Sequence, residues 1–380
     1  MKSILIVAAE NSAENYGSKI IEQFEQSDRK VSFFGAGGDE LRERGVELIV
    51  HSRELSIVGI VEVLSSILRL KKIMSKILDS CKRKKADGAI LIDYPDFNLR
   101  LAKKLKKAGI PVYYYISPTI WAWRYSRIKI IRKYVDHMFI IFPFEQEIYK
   151  KEIIPFTYTG HPLIPSIKIN KERDIFRKEL NIIDGEKVLS LLPGSRLSEI
   201  ESLLPEMLSA IKILRSQFKL KAIILKADNI NNEIIEKIID SSGIEVEIIN
   251  QKNRYDLFNA SDAALASCGT SNLELAVCGL PFVAVYKVNK LSYLLGKGFL
   301  KISLYSIVNI LLKKKVVSEF IQNKFTAKNC AEAVSILLSD QDKADEQRRE
   351  FLGLKEMLSL KSSPSEIIFN KLVSLIFNNK

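Results

Sequence analysis

Short runs of apolar residues, many β-branched or aromatic, alternate along the chain with longer stretches in which apolar positions recur every three to four residues. Residues 4–8 (ILIVA) read as a buried strand, followed by a polar turn from Ala9 to Asn15 and a helix from about Tyr16 to Gln26. The pattern repeats. Residues 31–34 run into Gly35-Ala36-Gly37-Gly38, residues 88–92 into Asp93-Tyr94-Pro95-Asp96, and residues 112–116 into Ser117-Pro118. A second series follows at residues 188–192, 221–225, 245–249, 263–266 and 281–285. Strands alternating with helices predict parallel sheets, so the expected fold class is α/β: two Rossmann-like, doubly wound domains facing a cleft. The expected boundaries are 1–165 and 166–343, joined by a Pro-containing linker at 160–170. Helices over 344–380 are expected to pack back onto the first domain or onto a partner protomer. No internal repeat is visible.

Composition narrows the partners. With 380 residues, 47% hydrophobic and 27% charged, the chain has material for two packed cores and no low-complexity bias. Its 58 Lys and Arg exceed its 45 Asp and Glu, and the excess is local: between Arg69 and Lys133 there are 18 basic and 4 acidic residues. Such a stretch attracts nucleic acid, an anionic membrane or a phosphorylated substrate. No recognisable nucleic-acid-binding module accompanies it. Four Cys and three His stand without zinc-ligand spacing, which suggests a reduced setting and no metal site. The first residues lack a signal-peptide pattern, and Lys297 and Lys301 interrupt the longest apolar stretch (291–312), so membrane contact is expected to be peripheral.

Five segments carry candidate chemistry, each open to a second, purely structural reading. Leu192-Pro193-Gly194-Ser195-Arg196 joins a strand to a helix; Gly194 lets the backbone approach a ligand, the new helix offers N–H groups, and Arg196 forks onto phosphate oxygens. The alternative is a helix cap with a solvated Arg. Cys268-Gly269-Thr270-Ser271-Asn272-Leu273-Glu274 repeats the arrangement, with Glu274 placed to accept from a ribose diol; Ser271 and Glu274 also have capping-box spacing. In Asp93-Tyr94-Pro95-Asp96-Phe97-Asn98 a single Asp is suited to act as general base, or Asp96 or Asn98 caps the next helix. Ser117-Pro118-Thr119-Ile120-Trp121-Ala122-Trp123-Arg124 puts both tryptophans beside a basic run, as a ligand contact or as a buried pair. Residues 56–78 form a broad apolar surface flanked by Arg69, Lys71, Lys72 and Lys76, either interfacial against an anionic leaflet or an ordinary core helix.

Taken in order, these segments, together with Ala9-Glu10-Asn11-Ser12-Ala13-Glu14, Val58-Gly59-Ile60-Val61-Glu62, Pro143-Phe144-Glu145 and Gly160-His161-Pro162, resemble the lipid-A-disaccharide synthases over residues 4 to about 335. The resemblance implies an inverting glycosyltransferase of the B fold. UDP-2,3-diacylglucosamine would be its donor and 2,3-diacylglucosamine 1-phosphate its acceptor, giving the β-1,6 disaccharide 1-phosphate and UDP. It further implies no cofactor and no metal. Other implications are a peripheral position on the cytoplasmic face of the inner membrane of a Gram-negative bacterium, and a homodimer. On that basis Asp96 is assigned as base and Arg196 as stabiliser of the leaving diphosphate. Gly194, Ser195, Gly269, Thr270 and Glu274 would bind the nucleotide, and Glu10, Ser12, Asn98, Trp121 and Arg124 the substrates.

The chain departs from the family's usual first turn, Gly-Glu-x-Ser-Gly-Asp, by Ala9, Ala13 and Glu14, and carries Cys268 and Lys287 where Ser and Arg are usual. These differences bear on acyl-chain preference and fine positioning. Two other functions fit the same fold: another UDP-sugar transferase with a lipid-linked acceptor, and a silent membrane-surface homologue.

Overall fold

In the computed structural model, residues 1–56, 63–122, 124–287 and 304–377 are described, apart from the side chains of residues 11, 56 and 63–67. The chain divides into two compact units, Met1–Pro162 with Leu358–Lys380, and Leu163–Met357.

The first unit holds a parallel sheet of β1 (Lys2–Ala8), β2 (Val31–Gly37), β3 (Glu47–His51), β4 (Gly88–Ile92), β5 (Val112–Tyr115), β6 (His137–Ile140) and β7 (Phe156–Tyr158), in the order β3-β2-β1-β4-β5-β6-β7. Because side chains alternate along a strand, Ile4, Ile6 and Ala8 enter one core and Leu5 and Val7 the other. Both faces are therefore covered, and the strands read as continuous apolar runs instead of alternating ones. Asp residues placed just before strands pin neighbouring strands in register: Ser3 N donates to Asp87 Oδ2 at 2.8 Å, and Val112 N to Asp136 Oδ2 at 2.8 Å.

The second unit repeats the plan with β8 (Lys187–Leu192), β9 (Leu220–Lys226), β10 (Glu247–Asn250), β11 (Ala263–Ser267), β12 (Phe282–Tyr286) and β13 (Glu319–Ile321), in the order β10-β9-β8-β11-β12-β13. Here Val188 N donates to Asp262 Oδ2 at 2.7 Å. Helices Leu197–Leu214 and Ala327–Ser339 bury their apolar faces in one core with Leu189 and Leu191.

In each sheet the chain starts in the middle, runs to one edge and returns to the other side of the first strand. The reversal lies between β1 and β4 in the first unit and between β8 and β11 in the second. The carboxyl ends of such a strand pair are where open α/β sheets bind ligands, since no connection blocks the space between diverging turns.

Three expectations change in detail. The polar segment after β1 is the first turn of helix Asn11–Glu25, not a separate turn: Glu10 is extended and the Glu14 amide donates to its carbonyl at 2.9 Å. Ala13 thus lies inside a helix, outside the left-handed region, where a methyl group costs nothing. The C-terminal segment is split. Helix Gln341–Leu358 belongs to the second unit up to Met357, with Phe351 stacked on Phe282 at 5.6 Å and Gln347 Oε1 accepting from Phe282 N. Helix Pro364–Phe377 belongs to the first, its Phe369 edge-on to Phe24 at 4.8 Å. Of the expected apolar surface at 56–78, residues 57–62 lie outside the described residues; in helix Val63–Arg83, Ile73, Met74 and Ile77 enter the core while Leu68, Arg69, Lys71, Lys72 and Lys76 are exposed.

Candidate active site

At the β1/β4 end of the first unit, Asp93 and Tyr94 both adopt left-handed backbone conformations, φ +49° and +47°. Consecutive left-handed residues with bulky side chains are strained, each by about 1–3 kcal/mol, and persist only when neighbours hold them. Three groups do so. Asn98 Nδ2 donates to the carbonyls of Ile92 (3.1 Å) and Asp93 (2.8 Å), the Tyr114 hydroxyl donates to Asp93 O at 2.6 Å, and the Tyr94 hydroxyl donates to Leu55 O at 3.1 Å. The turn swings the Asp93 carboxyl off the strand end into a poorly solvated place. Burial, with the negative charge of Glu10 adding to it and a hydrogen bond from the Tyr94 backbone opposing it, pushes Asp93 up to about 6.

Asp96, one turn further on, has a different environment. Its carboxylate is exposed and takes an ion pair from buried Arg127 at 2.5 Å and from Arg124 at 3.3 Å. The two guanidiniums compete for the lone pairs a base would use. Asn98 is fully buried and spends both its amide hydrogens on the turn, so it positions Asp93, not Asp96. Glu10 and Ser12 are exposed around the start of helix Asn11–Glu25. Trp121 packs edge-on against Phe144 (5.3 Å) and Phe142 (6.5 Å), its Nε1 buried without a hydrogen-bond partner among the described residues. Trp123 lies outside the described residues. Glu14, at the family's Asp position, is buried with its carboxylate against Gly38, where any Cβ would sit 2.3 Å from Oε1.

In the second unit, the β8/β11 end opens into a pocket of ≈ 450 Å³ whose lining includes Gly194, Ser195, Arg196, Gly269, Thr270 and Glu274. All six donor-site residues expected from the sequence therefore meet in one place. Gly269 is extended (φ −179°), and a Cβ there would touch nothing within 4 Å, so the amide end of helix Thr270–Val277 is open to the pocket. The turn is braced as in the first unit: Asn272, fully buried, donates to Ser267 O at 2.9 Å. Glu274 Oε1 accepts from the Tyr255 hydroxyl (3.0 Å) and pairs with Arg254 (3.1 Å). Burial raises its pKa while Arg254 and Tyr255 counteract the rise. Cys268 also lines the pocket, and burial raises its thiol pKa so that it stays neutral and adds no negative charge.

The model of the lipid-A-disaccharide synthetase family matches residues 4–371. The chain belongs to this family. Lipid-A-disaccharide synthases from Myxococcus xanthus (38% identical, covering 87% of this chain and 86% of the relative) and Geobacter sulfurreducens (36%, covering 93% and 92%) are among its relatives. Solved structures share the fold at low identity. A UDP-GlcNAc 2-epimerase from Neisseria meningitidis, bound to UDP-GlcNAc, aligns over 98% of this chain and 100% of its own (TM-score 0.67, 14% identical). A glycosyltransferase from Rickettsia africae aligns over 100% and 99% (TM-score 0.61, 11% identical). The chain is thus a glycosyltransferase of the B fold, in a family that serves lipid A biosynthesis.

Family motifs did not single out every residue of the site. Arg254, Tyr255 and Gln251 follow β10, a strand end without a Gly or Pro mark; the rule that strand carboxyl ends line sites would have found them. Arg127 was visible only as one of many bases. Asp93 lies in the same motif as Asp96, and its left-handed backbone, its burial and the two arginines held by Asp96 set the two carboxyls apart.

Proposed function

We propose that this glycosyltransferase moves 2,3-diacylglucosamine from UDP-2,3-diacylglucosamine to the 6-hydroxyl of 2,3-diacylglucosamine 1-phosphate, with inversion at the anomeric carbon, releasing UDP. The observation that carries the reading is the second unit's pocket. Helix amides, Arg196 and a carboxylate paired to Arg254 suit, in turn, a diphosphate and a diol. In the step itself the acceptor oxygen attacks the anomeric carbon, its proton passes to a carboxylate, and the bond to the diphosphate breaks with both electrons leaving on UDP. Asp93, with a pKa near 6, is the base we assign in preference to Asp96: it is mostly ionised at neutral pH yet basic enough to take the proton. Arg196 and the Gly269–Thr270 amides take up the charge that develops on the diphosphate. Glu10, whose charge reaches Asp93, together with Ser12, Trp121 and Arg124 contacts the acceptor.

Acyl chains put both substrates at a membrane. Among the described residues no helix is long and apolar enough to cross one. Exposed Leu68 with Arg69, Lys71, Lys72, Lys76 and Lys82 on helix Val63–Arg83 gives an apolar and basic surface, each base being worth about 1 kcal/mol against anionic lipid. We therefore place the protein peripherally on the cytoplasmic face of an inner membrane. The test is to incubate protein with both substrates in the presence of chelator and follow UDP release and product mass. Disaccharide 1-phosphate is the expected product. No product, with UDP-sugar still bound, would move the reading to another acceptor.

A further inference from the structure

The Ser195 and Arg196 amides of the Gly194–Arg196 loop already hold an anion. Glu199 folds back so that its Oε2 accepts from Ser195 N (3.1 Å) and Arg196 N (3.3 Å), while Oε1 pairs with the Arg196 guanidinium at 3.2 Å. A Cβ on Gly194, which sits at φ +112°, would lie 2.4 Å from Oε2, so the carboxylate fills the space directly over the glycine. Glu199 lines the same pocket as the open Gly269–Thr270 end. Part of this is ordinary helix capping, in which a Glu at the third helical position reaches back to the cap amide. Capping alone accounts for the Arg196 amide. The Ser195 amide, one residue before the cap, and the guanidinium lie beyond it, and Arg has no acceptor with which to complete the reciprocal box. Two backbone N–H groups and a guanidinium converging on two oxygens is the donor set of a phosphate site.

We propose that Glu199 is a built-in stand-in for the donor's phosphate: it keeps the loop and Arg196 arranged while the pocket is empty, yields them when the diphosphate arrives, and retakes them as UDP departs. The proposal rests on the reading of this pocket as a UDP-sugar site. Its physical content is competition, because a carboxylate left beside an incoming diphosphate repels it while sharing its donors. Affinity for the phosphate part is thereby held down, and product release is helped.

The test is calorimetric titration of the full chain and its Glu199→Gln and Glu199→Ala variants with UDP, uridine and inorganic pyrophosphate, with circular dichroism to confirm folding. We expect Glu199→Gln to bind UDP and pyrophosphate five- to tenfold more tightly and uridine unchanged, and UDP to become a stronger product inhibitor by the same factor. Glu199→Ala should show the same sign, less strongly because the loop also loses its cap. Unchanged or weaker UDP and pyrophosphate binding in both folded variants overturns the proposal, as does an equal shift for uridine, which is what a purely structural role would give. A wild-type protein that binds UDP no better than uridine overturns the donor reading instead. Pyrophosphate then still decides the role of Glu199, by tightening in Glu199→Gln or failing to.

Discussion

At the end of β4 the chain turns through Asp93 and Tyr94, both left-handed, whereas at the end of β11 it turns through Gly269, fully extended. The brace is the same in both. A fully buried Asn on the following helix donates its side-chain amide back to the carbonyl that closes the strand, Asn98 to Ile92 and Asp93, Asn272 to Ser267. One joint therefore serves opposite electrostatics. Twisted and furnished with a carboxyl, it presents an acid whose pKa is raised by burial; straight and stripped of side chain, it leaves the helix amides open. The parallel sheet supplies the place, and the residue at the bend decides what is done there.

Changes at the two bends test that division most severely. Asp93→Asn should lower turnover by about 10³-fold while UDP affinity is unchanged, since general base catalysis is typically worth 10²–10⁴-fold. Asp96→Asn should lose far less. If Asp96→Asn is instead the dead variant, the ion-paired carboxylate is the base and the contrast drawn here fails. Gly269→Ala has open space around the new methyl group and an extended backbone that any residue adopts, so stability should not move. If the donor diphosphate approaches that amide, UDP affinity falls by about tenfold or more, as expected for one extra methyl group in a fitted site.

Acidity gives the next sharpest reading. A carboxyl titrating near 6 is protonated below that pH and cannot accept the acceptor's proton, so kcat/KM should be level above about pH 7 and fall about tenfold per unit below 6. Because Glu10 contributes to the raised value, Glu10→Gln should move this limb to lower pH; an unmoved limb would assign it to another group. Asn98→Ala and Asn272→Ala should each destabilise their own unit by about 1–3 kcal/mol in urea unfolding, because buried carbonyls lose their donor. A loss at only one of them would show that the joints are not equivalent.

The smallest expected effect is a control. Ile153 is 89% exposed and left-handed (φ +52°), a poor choice for a β-branched residue. Ile153→Asn should raise stability by about 1 kcal/mol, with turnover unchanged.

Much of this plan was legible beforehand where the physics is local. Apolar runs alternating with helical stretches mark nine strand segments and hence the α/β class, and the small residues Gly194 and Gly269 between strand and helix mark candidate anion sites that could equally be plain helix caps. Short strands such as β7 and β13, of three residues each, carry too little pattern to stand out. Polar residues 11–15 suggest a turn and a helix start equally well, and only the tertiary setting chose the helix. The base was ambiguous for a different reason: Asp93 and Asp96 lie in one motif, and what separates them is a φ angle and two arginines from another segment.

The bend at residues 93 and 94 also says where this protein would resist being made more heat-stable. Gly or Asn at either position would relax the backbone, so selection for thermal tolerance alone would favour replacing Tyr94 early. Either residue would keep the left-handed bend without strain, but at position 94 it would lose the hydroxyl bond to Leu55 O and the ring beside Phe97, so the turn would hold Asp93 less firmly in its buried place. Stability gained there would be withdrawn from turnover, which makes residue 94 a place where heat resistance and catalysis trade against each other.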